Sequence, residues 1–97
     1  MLEFDAAIGR ALAFARDRGD TLVVVTADHE TGGLSLVPSD AAGAAPFQVH
    51  WGTHDHSAAD VPLFATGPGS GRFAGFLDNT EIALRLADLW GLPAPGR

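Results

Sequence analysis

The 97-residue sequence contains no cysteine and no lysine. Without thiols there can be no disulfide framework, no cysteine nucleophile and no thiolate zinc site, so any metal must be held by His and carboxylate side chains. Positive charge is also scarce. Six basic residues, all arginine, face twelve Asp and Glu, which gives a formal charge of −6 with His neutral. Binding to phosphate backbones or anionic lipid needs clustered cations, so the balance speaks against nucleic-acid and membrane-surface partners. Long hydrophobic runs are missing as well. The first twenty residues carry Glu3, Asp5, Asp17 and Asp20, the pattern of neither a signal peptide nor a membrane span, and the chain as written is expected to stay in the cytoplasm. What is present is material for one small core: 46% hydrophobic residues, including two Trp and six Phe, argue against disorder. A chain of this size buries only about 60 to 70% of its unfolded surface, so stability would be marginal without a partner, a metal or a neighbouring domain.

Phe4, Ile8, Ala11, Leu12 and Ala15 recur at helical spacing and predict an amphipathic helix. It should end near Arg18, where cationic residues suit a helix C-terminus and Gly19 can adopt the left-handed conformation that closes one. Residues 21–26, Thr-Leu-Val-Val-Val-Thr, are apolar on both faces, the pattern of a central strand covered on both sides, usually in a parallel sheet. Helix followed by buried strand is half of a βαβ unit, whose first strand would lie before Met1. Further short strands are expected at residues 34–37, 47–51 and 61–65, the last qualified by Pro62. The polar segments 28–33 and 52–60 and the Ala/Gly/Ser/Pro stretch 38–46 read as loops, and residues 67–71 as a flexible turn. Asp78, with Glu81 three residues later, opens a second helix that Gly91 and Pro93 stop, and residues 93–97 read as a loose tail.

Chemistry concentrates in the two polar segments. Asp28 and His29 directly follow the buried strand, and open α/β sheets bind ligands in loops at the carboxyl ends of their strands. An Asx-type turn with an exposed His29 explains the same pair equally well. His54 and His56 form a His-x-His pair that could share one ion on an extended segment, because residues two apart point to the same side. Two solvated loop histidines are the simpler account of that pair, and His50 reads as a strand-surface residue. None of Ser35, Ser39, Ser57 and Ser70 lies in a Gly-x-Ser-x-Gly elbow, and the Gly67 to Gly71 stretch lacks the Lys of a phosphate-binding loop. Trp51 and Trp90 read as packing residues.

Taken together, Thr21-Leu22-Val23-Val24-Val25-Thr26-Ala27-Asp28-His29-Glu30-Thr31-Gly32-Gly33 resembles the strand-and-loop signature near the C-terminus of alkaline phosphatases. The resemblance extends upstream through Glu3-Phe4-Asp5 and Ala11-Leu12-Ala13-Phe14-Ala15. Downstream it takes in Trp51, His56, Val61-Pro62-Leu63-Phe64-Ala65, Gly67-Pro68 and Asp78-Asn79-Thr80-Glu81-Ile82, leaving only residues 38–46 and the tail unmatched. It implies an α/β fold, the C-terminal part of a three-layer sandwich with helices packed on a central sheet. Residues 1–97 would be a single partial domain. The implied activity is hydrolysis of phosphate monoesters through a phosphoserine intermediate, with two zinc ions and a nearby magnesium. Position by position, Asp28 and His29 match ligands of the zinc beside the nucleophile and His56 matches a ligand of the other zinc. His54 matches no family ligand and would either tune the site from behind its ligands or be solvated.

The nucleophilic Ser, the other zinc ligands and the magnesium ligands of the family would all fall before Met1, so the isolated chain is expected to be inactive. Family members are typically periplasmic or secreted and tend to dimerise, which implies a homodimer of the complete enzyme. Two other readings stay open: a non-catalytic metal-binding or complementation module that docks onto a separate N-terminal half, and a remnant without function. Phosphodiesterases, sulfatases and phosphomutases share the fold, but the Asp28 to Gly33 signature favours the monoesterase.

Overall fold

The computed structural model describes residues 2–39 and 45–96. Its elements run α1 (Leu2–Arg18), β1 (Val23–Val25), β2 (Glu30–Thr31), β3 (Ser35–Pro38), β4 (Phe47–His50), β5 (His56–Ser57), β6 (Phe64–Thr66), a 3₁₀ helix (Ser70–Phe73) and α2 (Asn79–Leu89). This is an α/β chain. It divides into two compact units, one made of residues 1–26 and 63–97 and the other of residues 27–62.

In the first unit, α1 carries acidic residues in its first turn and Arg16 and Arg18 in its last, as the helix dipole favours. Gly19, at φ 71°, donates its N–H to the Ala15 carbonyl at 2.9 Å and closes the helix by a single left-handed residue. Beyond it, Asp20 accepts two hydrogen bonds from the Arg18 guanidinium, which also lies over the Phe14 ring. The second helix begins at a complete capping box. The Asp78 side chain accepts from Thr80 N–H at 2.9 Å, and Glu81 reaches back to the Asp78 N–H at 3.0 Å. It ends as a Schellman motif: Gly91 (φ 64°) donates to the Asp88 carbonyl and Leu92 to the Ala87 carbonyl. Arg72 pairs with Asp88, and Arg85 donates to the Arg72 carbonyl, so the 3₁₀ helix is tied to α2 from both directions. The expected turn at residues 67–71 thus runs into a helical turn that the sequence analysis did not anticipate.

Within this chain β1 has a neighbour that the sequence did not announce. Its partner is β6, and the two run antiparallel, with Val23 opposite Thr66, Val24 opposite Ala65 and Val25 opposite Phe64. All three valines are only half-buried. An apolar β-branched run specifies burial on both faces, but it carries no information on the direction of the strand beside it. Buried apolar residues among those described are few: Ala15, Phe73 and Ala87.

The second unit is a two-stranded antiparallel ribbon interrupted by a bulge. Near its tip β3 pairs with β4, Ser35 opposite His50 through Pro38 opposite Phe47. Part of the expected loop 38–46, residues 40–44, lies outside the described residues. Nearer its base β2 pairs with β5, Glu30 opposite Ser57 and Thr31 opposite His56. Between the two ladders, residues 32–34 face the longer stretch 51–55, and the surplus is gathered around Gly32. Gly32 donates to the Asp55 carbonyl at 2.9 Å, and its own carbonyl accepts from the N–H groups of Gly52 and Thr53 at 2.8 and 3.2 Å.

At Gly32 and Gly67 a side chain would meet the closest neighbours. A Cβ on Gly32 (φ 77°) would lie 2.4 Å from Trp51 Cε3, and one on Gly67 (φ 100°) would lie 2.3 Å from the Thr21 carbonyl oxygen. Gly32→Ala and Gly67→Ala are each expected to cost on the order of 1–3 kcal/mol from backbone strain alone. Chemical denaturation followed by Trp fluorescence and circular dichroism measures both losses, and a neutral result at either position would contradict the packing described. Acid should loosen α2. Thr80 holds the Asp78 carboxyl below the usual carboxylate range, and the Asp78 N–H does the same for Glu81, so the cap stabilises the folded form at neutral pH. That stabilisation is present above the ordinary carboxylate pKa of about 4 and disappears as pH falls through the lowered folded values. Amide protection factors in α2, taken relative to the intrinsic exchange rate at each pH, should fall over that range, and Asp78→Asn with Glu81→Gln should flatten the dependence.

Candidate metal centre

The candidate ligands all fall in the second unit, at the base of the ribbon. Asp28 and His29 immediately precede β2, and His56 is the first residue of β5. Side chains alternate between the two faces of a strand, so His29 shares a face with Thr31, and Thr31 stands directly opposite His56. His29 and His56 are therefore diagonal cross-strand neighbours, close enough for ring contact. Their imidazoles stack, with centroids 3.5 Å apart and planes inclined by 23°. Residues 27 positions apart in sequence are brought into contact by a ladder of two residue pairs.

The tautomer of His29 follows from its neighbour. Nδ1 lies 2.9 Å from the Glu30 carbonyl oxygen, which can only accept, so Nδ1 carries the proton; the Thr31 hydroxyl lies 3.4 Å from the same nitrogen. The other ring nitrogen, Nε2, lies 3.4 Å from Asp28 Oδ2. An imidazole nitrogen and a carboxylate oxygen this close are two donor atoms of the kinds that a metal cation takes. A ligating His typically has its other nitrogen donating to a carbonyl or carboxylate, as here.

On the opposite face stands a pair that the sequence analysis did not single out. Glu30 Oε1 accepts from the Gly33 N–H at 2.7 Å, and Oε2 accepts from the Ser57 hydroxyl directly across the ladder. The Ser57 hydroxyl, with help from the N–H groups of Gly33, Leu34 and Ser57, holds the Glu30 carboxyl below the usual range against the opposing effect of burial. No local signal could have revealed this. Two-residue strands are too short to show a period, and both polar segments read as loops.

The other candidates are placed apart from this cluster. His54 sits exposed in the bulge, without a hydrogen bond or ring contact among the described residues, and His50 is exposed at the end of β4. Asp55 Oδ1 accepts from the His56 N–H at 2.8 Å and lies 3.9 Å from its Nε2. Thr53 Oγ1 in turn accepts from the Asp55 N–H at 3.1 Å, which orders the turn leading into β5. Among the described residues, no three His, Asp or Glu side chains converge on one point as a metal site would require.

The alkaline phosphatase family model matches residues 1–50 and 44–92. Alkaline phosphatase H of Pseudomonas aeruginosa is 30% identical over 96 residues, which cover 84% of this chain and 20% of that protein. Streptomycin-6-phosphate phosphatase of Streptomyces griseus is 34% identical over 98 residues, covering 84% of this chain and 22% of its own. Among solved structures, the alkaline phosphatase of the Antarctic bacterium TAB5 superposes with a TM-score of 0.81 and 43% identity, over 89% of this chain and 26% of that one. A mutant of the TAB5 enzyme with Mg bound reaches a TM-score of 0.84 at 41% identity, over 93% and 28% of the two chains. The chain thus spans about a fifth of the length of these curated relatives. A match over nearly the whole sequence, joined to close agreement in three dimensions, places this α/β chain in the alkaline phosphatase family.

Proposed function

We propose that this chain supplies Asp28, His29 and His56 as zinc ligands to the active site of a phosphate monoester hydrolase. The observation that carries the reading is the stacking of His29 on His56 beside the Asp28 carboxylate. The donor chemistry fits: imidazole and carboxylate are zinc ligands, and thiolates are absent from the sequence. An imidazole lone pair lies in the plane of its ring, so two nearly parallel stacked rings do not aim at a common point. That favours His29 and His56 serving different ions, with Asp28 sharing the ion of His29.

The number of donors fits a share of a site. Zinc sites ordinarily need at least three converging protein ligands, and those beyond Asp28, His29 and His56 would come from the larger part of the relatives' length that this chain does not span. When bound, two such ions and the neighbouring magnesium supply Lewis-acid stabilisation to the attacking and leaving oxygens of an in-line phosphoryl displacement. The chain's own residues hold the ligand atoms in place: the Glu30 carbonyl keeps the His29 proton on Nδ1 and so presents Nε2. The sparse core points the same way. Phe4, Phe14, Phe64 and Trp90 in the first unit, and Leu36, Phe47, Val49 and Trp51 in the second, are all exposed. Apolar exposure on this scale suits a partial domain that packs against further protein, as the C-terminal segment of a longer phosphatase would.

Two measurements test the reading. The pure, zinc-loaded 97-residue chain should hydrolyse no chromogenic phosphate monoester, and unambiguous turnover would overturn the division of the site. In a zinc titration of the same chain binding should be weak, as suits an incomplete ligand set, and His29→Ala and His56→Ala should each weaken it further. Unchanged binding in either variant would remove that residue from the ligand set.

A further inference from the structure

We propose that Glu30, through Ser57, is a positioning residue that sets how His29 and His56 meet. The inference rests on the reading of those histidines as metal ligands. Its structural part stands on the ladder alone. β2 and β5 contribute only two residue pairs, and a two-stranded ladder of that length has little stability of its own. A slip by one residue would turn His56 to the opposite face and separate the rings.

What opposes the slip is the back of the ladder. Glu30 and Ser57 face each other across it, and the carboxylate uses one oxygen for the Ser57 hydroxyl and the other for the Gly33 N–H. One side chain therefore fixes the register of β5 against β2 and the entry of the chain into the Gly32 bulge. The histidines lie on the other face, out of reach of the Glu30 carboxylate by strand alternation, so its effect on them passes through the backbone register. A carboxylate is well suited to this role because it accepts on both oxygens, whereas an Ala would leave the Ser57 hydroxyl and the Gly33 N–H without their partner. A Gln keeps the shape and can accept from Gly33 while donating to the Ser57 oxygen.

The test reads the imidazole ring resonances of His29 and His56 by NMR in the 97-residue chain, first without metal and then with zinc alone. In the wild-type chain the two rings should show the mutual ring-current shifts of a stack. Glu30→Ala and the milder Ser57→Ala should move both toward solvent-exposed values, while cross-strand contacts between Leu36 and Val49 persist and report that the distal ladder is intact. Glu30→Gln should retain the stacked shifts. Zinc should perturb both rings in the wild type, with affinity falling about tenfold or more in the Ala variants, as loss of a ligand-orienting partner does. Stacked shifts that survive in both Ala variants would overturn the proposal, as would their equal loss in Glu30→Gln. If the metal-free shifts behave as described but zinc perturbs neither ring, the clasp stands and the metal-ligand reading falls. If zinc binds all variants alike with the stack intact, the reverse holds.

Discussion

The short antiparallel pairing of β2 with β5 is the constraint on which the candidate site depends. It closes a segment of more than twenty residues, an entropic cost that grows only slowly with length and that the β3 and β4 ladder within the segment reduces. Each of its two faces does something different. One carries Thr31 and the stacked imidazoles; the other carries Glu30 and Ser57, joined by a hydrogen bond to a charged group, a class of bond stronger than a neutral one. The geometry of the histidines is thereby a property of backbone register, which tolerates no intermediate values.

The bulge next to this ladder explains why two glycines follow Glu30 and Thr31. Gly32 has a positive φ, is buried, and lies so close to the Trp51 ring that a methyl group would overlap it. Three backbone hydrogen bonds converge on this one residue and hold the turn that delivers His56 to β5. The Asp28 to Gly33 segment, met in the sequence as a polar loop, is thus the start of a strand and one side of a bulge in immediate succession. Trp51, expected as a packing residue, lies against Gly32 but keeps most of its surface exposed.

The first unit follows a different logic. Its helices are terminated by local devices that need no tertiary help: a left-handed Gly19, a capping box at Asp78 and a Schellman motif at Gly91. These were legible in the sequence because each is written within five or six residues. Its packing is sparse, with Phe73 the one large apolar side chain buried among the described residues. Small units with few buried residues gain much of their stability from what they dock against, which agrees with a chain that spans a minor share of its relatives' length.

Taken alone, the sequence determined the two helices and their ends, the apolar strand around residues 23–25, the absence of thiolate chemistry and, through the run from Thr21 to Gly33, the family. All of these are encoded by composition or by neighbours a few residues apart. Tertiary structure decided the antiparallel partner of β1, the existence of β2 and β5, and the meeting of His29 with His56 and of Glu30 with Ser57. Hydrophobic periodicity cannot announce strands of two polar residues, and strand direction and register are relations between segments far apart in the chain. The reason is physical: the information for those contacts lies in which distant backbones share hydrogen bonds, and no single stretch of sequence contains both halves of that pairing.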